Sequence, residues 1–284
     1  MRLRIVRVIP GLIFVKRNFP VFLGGLIIAF MLSGALFAPF LTNWNPLEVS
    51  SNYRLLSPSS IHLMGTDQLG RDIQSRILYG ARTSMEVGFS VVLISTLSGV
   101  ILGLVSGYYK KVGSVVMRVI DGFMAFPGII VAIFMAAVWG PGKLNIIMAL
   151  SFAYFSRMTR VVRGAVLPIN ELEFINSAKT AGAADRYILT RYILANILSP
   201  IIVQATFIFA LAILDEAALS FLGVGIKAPE PSWGSMVSEA KTYMQVAPWT
   251  IVFPGGAIAL AVLGLNLFGD GLRDMLDPRL RLKG

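Results

Sequence analysis

Six apolar runs separated by shorter polar stretches organise this chain of 284 residues. They fall at residues 19–41, 84–108, 123–139, 144–158, 197–221 and 248–268, most of them near the roughly 20 residues that a helix needs to cross a bilayer. The pattern predicts an all-α integral membrane fold with six transmembrane helices. In the second run Ser95, Gly99, Gly103 and Gly107 lie four apart on one helix face, which lets another helix approach closely. Pro127 sits near the start of the third run, where a missing N–H costs little.

One polar stretch, residues 170–196, is longer than a turn between two spans requires. Asn170 followed by Glu173 is a capping-box pattern, with Ile169 and Phe174 placed as a hydrophobic staple, so a helix is expected from Glu171. Phe174, Ala178 and Ala181 then share one face, with Ser177 beside them. Gly182 can end that helix at a positive φ. Asp185 is expected to cap a second helix carrying Tyr187, Ile188, Tyr192 and Ile193 toward the fifth run. The joint is lined by Ser177, Ala178, Ala181, Gly182, Ala183 and Ala184, small side chains that suit a groove in another protein. An amphipathic connector lying on the membrane is the competing reading.

Composition supports the membrane assignment. The chain is 56% hydrophobic and 14% charged, where a soluble domain carries about a quarter charged residues. Its mean hydropathy is +0.74. The absence of Cys excludes disulfides, zinc–thiolate sites and thiol catalysis, and a single His, His62, argues against a His-based metal site.

A net charge of +10 would suggest nucleic acid in a soluble protein. Here the distribution of the charge points to topology. Six spans put both termini on one side, with residues 110–121 and 157–196. That side collects Arg2, Arg4, Arg7, Lys16, Arg17, Lys110, Lys111, Arg118, Arg157, Arg160, Arg163, Lys179, Arg186 and Arg191, then Arg273, Arg279, Arg281 and Lys283. The positive-inside rule makes it cytoplasmic, with anionic membrane lipid as the expected surround. The first run is too long for a signal-peptide core and no small-x-small cleavage site immediately follows it, so an uncleaved span is expected.

Other polar residues divide between structure and pathway. His62, Asp67 and Asp72 invite a metal reading. The local alternative has Gly65 and Gly70 making turns, Asp67 and Asp72 capping helices, and Ile73, Ile77 and Leu78 forming an apolar stripe. Asp215 and Glu216 lie near the outer end of the fifth run, about 30 Å along from Asn196 for Glu216. Solvated helix-end residues are the leading reading, with pathway lining or contact with a delivered cationic substrate as the alternative. Arg157, Arg160 and Arg163 suit snorkelling anchors. The tail beyond Gly269 is expected to buttress the 170–196 segment.

No catalytic pattern is complete. Gly140-Pro141-Gly142-Lys143-Leu144 lacks the remaining Walker residues, and Gly269-Asp270-Gly271 has no second spanning Asp. No Gly-x-Ser-x-Gly or zinc-protease motif occurs. Catalysis by this chain is not expected.

The stretch Phe174-Ile175-Asn176-Ser177-Ala178-Lys179, followed by Gly182-Ala183 and then Tyr192 to Asn196, resembles the "EAA" loop of binding-protein-dependent ABC importer permeases. Asn176 stands where that loop has Glu, and Ala195 where it usually has Pro. The block from His62 to Arg76 is similar to a signature of the dipeptide/oligopeptide/nickel subfamily. So are Asp121 with Ala125-Phe126-Pro127, Ala218 to Gly223, Pro231-Ser232-Trp233-Gly234, and the tail from Asn266 to Arg279. These blocks, in order, resemble the second, C-type permease of that subfamily.

The resemblance implies ATPase coupling through Phe174, Asn176, Ser177, Ala178, Lys179, Ala181, Gly182, Ala183 and Asp185. It places Asp67, Arg71 and Asp72 near the outer mouth; Asp215 and Glu216 are pathway or outer-gate candidates by their place in the fifth run. It implies a paralogous permease, two ATP-binding subunits and an extracytoplasmic substrate-binding protein in a prokaryotic cytoplasmic membrane. ATP and Mg would be held by the partner subunits, with no cofactor on this chain and no nucleic-acid partner. Residues 1–83 form a first unit, and residues 84–284 a five-helix permease core with the coupling loop. Short peptides lead as substrate, with nickel or metal chelates and oligosaccharides as alternatives. A self-sufficient secondary transporter is the reading from another class, disfavoured by the lack of internal repeats and broken helices.

Overall fold

A chain segment in lipid must satisfy its backbone polar groups internally, so apolar runs of this length coil into helices. The computed structural model describes residues 19–276 and contains no strand among them. Arg2, Arg4, Arg7, Lys16, Arg17, Asp277, Pro278, Arg279, Arg281 and Lys283 lie outside the described residues. The elements used below are α1 (Phe19–Leu36), α2 (Ile73–Tyr108), α3 (Lys110–Met124), α4 (Gly128–Trp139) and α5 (Lys143–Asn170). They continue as α6 (Glu173–Thr180), α7 (Leu198–Phe221), α8 (Trp233–Ala240) and α9 (Trp249–Leu276).

Two glycine seams hold the bundle together. Along α2, a Cβ on Gly99, Gly103 or Gly107 would lie 2.6, 2.5 and 2.6 Å from the Cβ atoms of Met158, Val162 and Val166 on α5. The stripe expected from the sequence is therefore the line along which α2 and α5 touch, and Met158, Val162 and Val166 are fully buried there. The second seam, between α1 and α9, was not anticipated. A Cβ on Gly24 would sit 2.4 Å from the backbone N of Phe268, and one on Gly264 2.6 Å from Ile27.

Several boundaries move. α2 begins at Ile73, so a division at residues 83/84 falls inside it. The expected loop at residues 110–121 is a helix, α3, and it meets α4 at a bend of 82°. Pro127 precedes the first residue of α4, where its missing N–H leaves no helical bond unmade. α5 continues past residue 158 to Asn170, because basic residues end an apolar window without ending a helix. Arg160 of α5 pairs with Asp121 of α3 at 2.5 Å, an ion pair rather than a lone anchor. α9 continues through the tail as far as Leu276, and Gly269 and Gly271 pack on Thr206 and Val21. The described tail thus supports α7 and α1, in place of the expected contact with residues 170–196.

Among the described residues four helices are long and apolar enough to cross a membrane: α1, α2, α7 and α9. The bent α3–α4 pair makes a fifth if it counts as one span. α5 has the length but carries Arg157, Arg160 and Arg163 in its second half.

Candidate functional site

Residues 170–196 begin differently from the capping-box expectation. Asn170 is the buried last residue of α5, and α6 starts at Glu173 after Leu172, without a side-chain cap. The capping box and staple do not form. α5 runs on through Pro168, which puts Asn170 inside a helix instead of before one. Asn170 Oδ1 instead accepts a hydrogen bond from Lys179 Nζ at 3.0 Å.

α6 is held by one apolar side chain that the sequence reading passed over, Ile175, which is fully buried in the main core. Ala178, one turn on, is half-buried against the same core, as is Ala183. The open face is therefore narrower than expected. It consists of Glu173, Asn176, Ser177, Thr180 and Ala181, which line a shallow hollow of about 640 Å³, with Phe174 exposed at its side. A polar side at i, i+3/i+4 and i+7 with an apolar anchor opposite is the pattern of a short helix seated on a bundle. Ile175 was legible from that spacing.

Gly182 ends the helix at φ +82°, as predicted, and a Cβ there would meet nothing within 4 Å. Its φ is the constraint, since L side chains avoid that region. The helix after it is interrupted: residues 185–187 are α-helical, 188–193 form a π-helical stretch, and the chain breaks again before α7.

Asp185 is the first helical residue, not the cap, and Ala184 occupies the cap position. Its two carboxylate oxygens instead accept hydrogen bonds from Tyr108 and Tyr109, both at 2.7 Å. The bonds from Tyr109 and Tyr108 hold the Asp185 carboxyl below its ordinary range. Lys179 Nζ also lies over the Tyr108 ring at 4.8 Å. Lys179 and Asp185, both exposed, thus also tie the segment to the ends of α5 and α2. Tyr108 and Tyr109 carried no signal in sequence, because their partner is 77 and 76 positions away.

At the opposite end of the bundle, Asp67, Arg71 and Asp72 are all buried. Gly65 and Gly70 make the expected turns, both at φ +76°. Asp72 caps α2 by accepting from the Ser75 N–H at 2.7 Å, and its other oxygen meets His62 Nδ1 at 2.9 Å. Asp67 caps no helix. It accepts from the N–H groups of Leu69 and Arg71 in a turn, and pairs with Arg71 at 2.6 Å and with Arg76. Glu239 of α8 joins both arginines and accepts from Gln68 at 3.2 Å. Burial alone would push the Glu239 carboxyl up, but Arg76 and Arg71 outweigh it and hold it below its ordinary range. Two acids and two arginines balance, which is how buried charge is tolerated.

Glu216 is fully buried, so the solvated helix-end reading fails for it. Its carboxylate accepts from Ser220 at 2.8 Å, Ser232 at 2.9 Å and Ser84 at 3.3 Å. Ser84 Oγ in turn accepts from the Trp233 N–H at 3.2 Å. Gly234 permits this contact, because a Cβ there would lie 2.5 Å from Ala217 Cα. The start of α8, with Ser232 as its cap followed by Trp233 and Gly234, packs over the end of α7. Helix length gave the depth of Glu216 but could not reveal that cover. Asp215, on the neighbouring face, is half-buried and accepts from the Tyr154 hydroxyl of α5 at 2.5 Å.

The fold and these two polar ends define a multi-pass helical membrane protein with a short helix, α6, seated at one end of the bundle. Residues 99–282 match the family of binding-protein-dependent transport system inner membrane components. The chain is 45% identical to the dipeptide transport system permease protein of Alkalihalophilus pseudofirmus, over 94% of this chain and 88% of that one. It is 39% identical to the di/tripeptide transport system permease protein of Pseudomonas aeruginosa, over 91% and 88%. Against the glutathione transport system permease protein of Pectobacterium atrosepticum the figure is 41%, over 90% and 86%. The chain belongs to the family of binding-protein-dependent transport system inner membrane components.

Proposed function

We propose that this chain is one of two permease subunits of an ATP-driven importer for short peptides, with α5 as its sixth span and both termini in the cytoplasm. The observation that carries the coupling role is the exposed hollow on α6, bounded by Gly182 and backed by the buried Ile175. A partner ATPase, holding ATP and Mg, seats on that hollow. Its movement passes into α2 through Asp185 and Tyr108 and into α5 through Lys179 and Asn170, because those bonds leave the segment little freedom to move alone. The buried bracket of Asp67, Arg71, Arg76 and Glu239 braces the outer mouth, where a substrate-binding protein delivers its cargo. Peptide is the favoured cargo because the relatives named above are dipeptide and di/tripeptide transport system permeases.

The test replaces Ala181, which is exposed and has φ −70°, by Trp, and separately Gly182 by Trp. Both variants should insert normally and lose ATP-coupled peptide uptake in proteoliposomes containing all subunits. Normal uptake by A181W would sink the docking assignment, since that change blocks the face without straining the backbone.

A further inference from the structure

The bend between α3 and α4 leaves a cavity of about 290 Å³ against α5, lined by Phe126, Pro127, Val131, Tyr154, Ser156 and Arg157 among others. Its volume is at the lower end of ligand pockets, which span about 300–1,000 Å³. Its walls combine aromatic side chains with polar groups: Phe123 lies edge-on to Phe152 at 5.0 Å, and Ser156 and Arg157 share the lining. Arg157 is the charged residue of its lining; Asp215 is not part of the lining but is bonded to Tyr154, which is. Arg157 lies about halfway along α5, is exposed, and makes no hydrogen bond or ion pair among the described residues. Tyr154 lies one turn away on the same face and donates to Asp215 Oδ2 of α7. The other oxygen, Oδ1, makes no hydrogen bond among the described residues.

Ionisable residues within the spanning part of a helix are costly and mark substrate pathways. Arg157 stands at the end of the apolar run 144–158, about halfway along α5. Asp215 similarly sits short of the end of α7, with Tyr154 orienting it.

We infer that Tyr154, Arg157 and Asp215 form a transit site for a zwitterion. Asp215 receives the ammonium end of a short peptide and Arg157 its carboxylate, while the phenylalanine walls accept its side chains. The inference rests on the peptide-importer reading above and adds a specificity site to this subunit. Its position is independent of the docking segment.

The test uses the complete importer in proteoliposomes, with its binding protein saturated by a zwitterionic dipeptide. Peptide imported and ATP hydrolysed are measured together for wild type, D215N, R157Q and the conservative D215E and R157K. Removing one charged hydrogen-bonding partner is expected to lower peptide imported per ATP about tenfold, with D215E and R157K restoring most of it. An unchanged ratio in D215N and R157Q would overturn the inference, whether uptake and hydrolysis hold steady or fall together as in a structural defect. A wild-type complex that hydrolyses ATP but moves no peptide would defeat the peptide reading itself, and the transit site with it.

Discussion

Replacing Gly103 by Ala tests whether the α2–α5 seam supports the bundle. An added Cβ would lie 2.5 Å from Val162 Cβ, 2.6 Å from its Cγ1 and 3.0 Å from the Thr159 carbonyl oxygen. Ordinary contact begins at 3.4 Å, so the helices must separate by most of an ångström, or Val162 must leave its rotamer. Such overpacking costs about 1–3 kcal/mol. Opposing it, Ala is the better helix former by about 1 kcal/mol. Gly164 supplies the control, since it lies in α5 with nothing within 4 Å of its would-be Cβ and keeps only the gain. The two substitutions should therefore shift stability in opposite directions, by about 2–4 °C in Tm for each kcal/mol. Thermal unfolding of the purified protein, followed by tryptophan fluorescence, reads this directly. If G103A melted at or above G164A, the close approach of α2 and α5 would be wrong.

Acid should loosen the outer bracket. The Glu239 carboxyl is held below its unfolded value by Arg76 and Arg71, so its contribution is complete above that unfolded value and is lost as pH falls through the folded one. Tryptophan emission, to which Trp233 of α8 contributes, should change across the range below about pH 5, and E239Q should flatten that change; an identical acid profile in E239Q would count against the bracket. Converting Tyr108 and Tyr109 together to Phe removes both donors to Asp185. Amide exchange should then quicken over residues 185–196 while the core of α2 stays protected, and equal protection there would show that these bonds do not tie the segment down.

How much of this was legible in the sequence depends on the range of each interaction. The all-helical membrane character, the glycine stripe of α2 and the turn at Gly182 follow from composition, four-residue spacing and one backbone angle. The Asp72 cap is equally local. The capping box at Asn170 failed although its pattern was present, because α5 carried its helix through Pro168 and used that Asn as a buried end. Ala178, expected on the open face of α6, is instead half-buried beside Ile175 against a core assembled from distant helices.

The sequence by itself determined which segments coil, which faces are small enough to meet, and that one polar segment was too elaborate for a turn. Hydrophobic periodicity and steric limits act between neighbours a few residues apart. Only the tertiary structure decided what covers each polar group. Glu216 and Asp215 are adjacent in sequence, yet Glu216 is sealed by Ser232 and the start of α8, while Asp215 faces a tyrosine on another helix. Helix rise gives a residue its depth, but its surroundings are set by segments tens to hundreds of positions away. That difference separates a buried structural hub from a site that can meet a substrate.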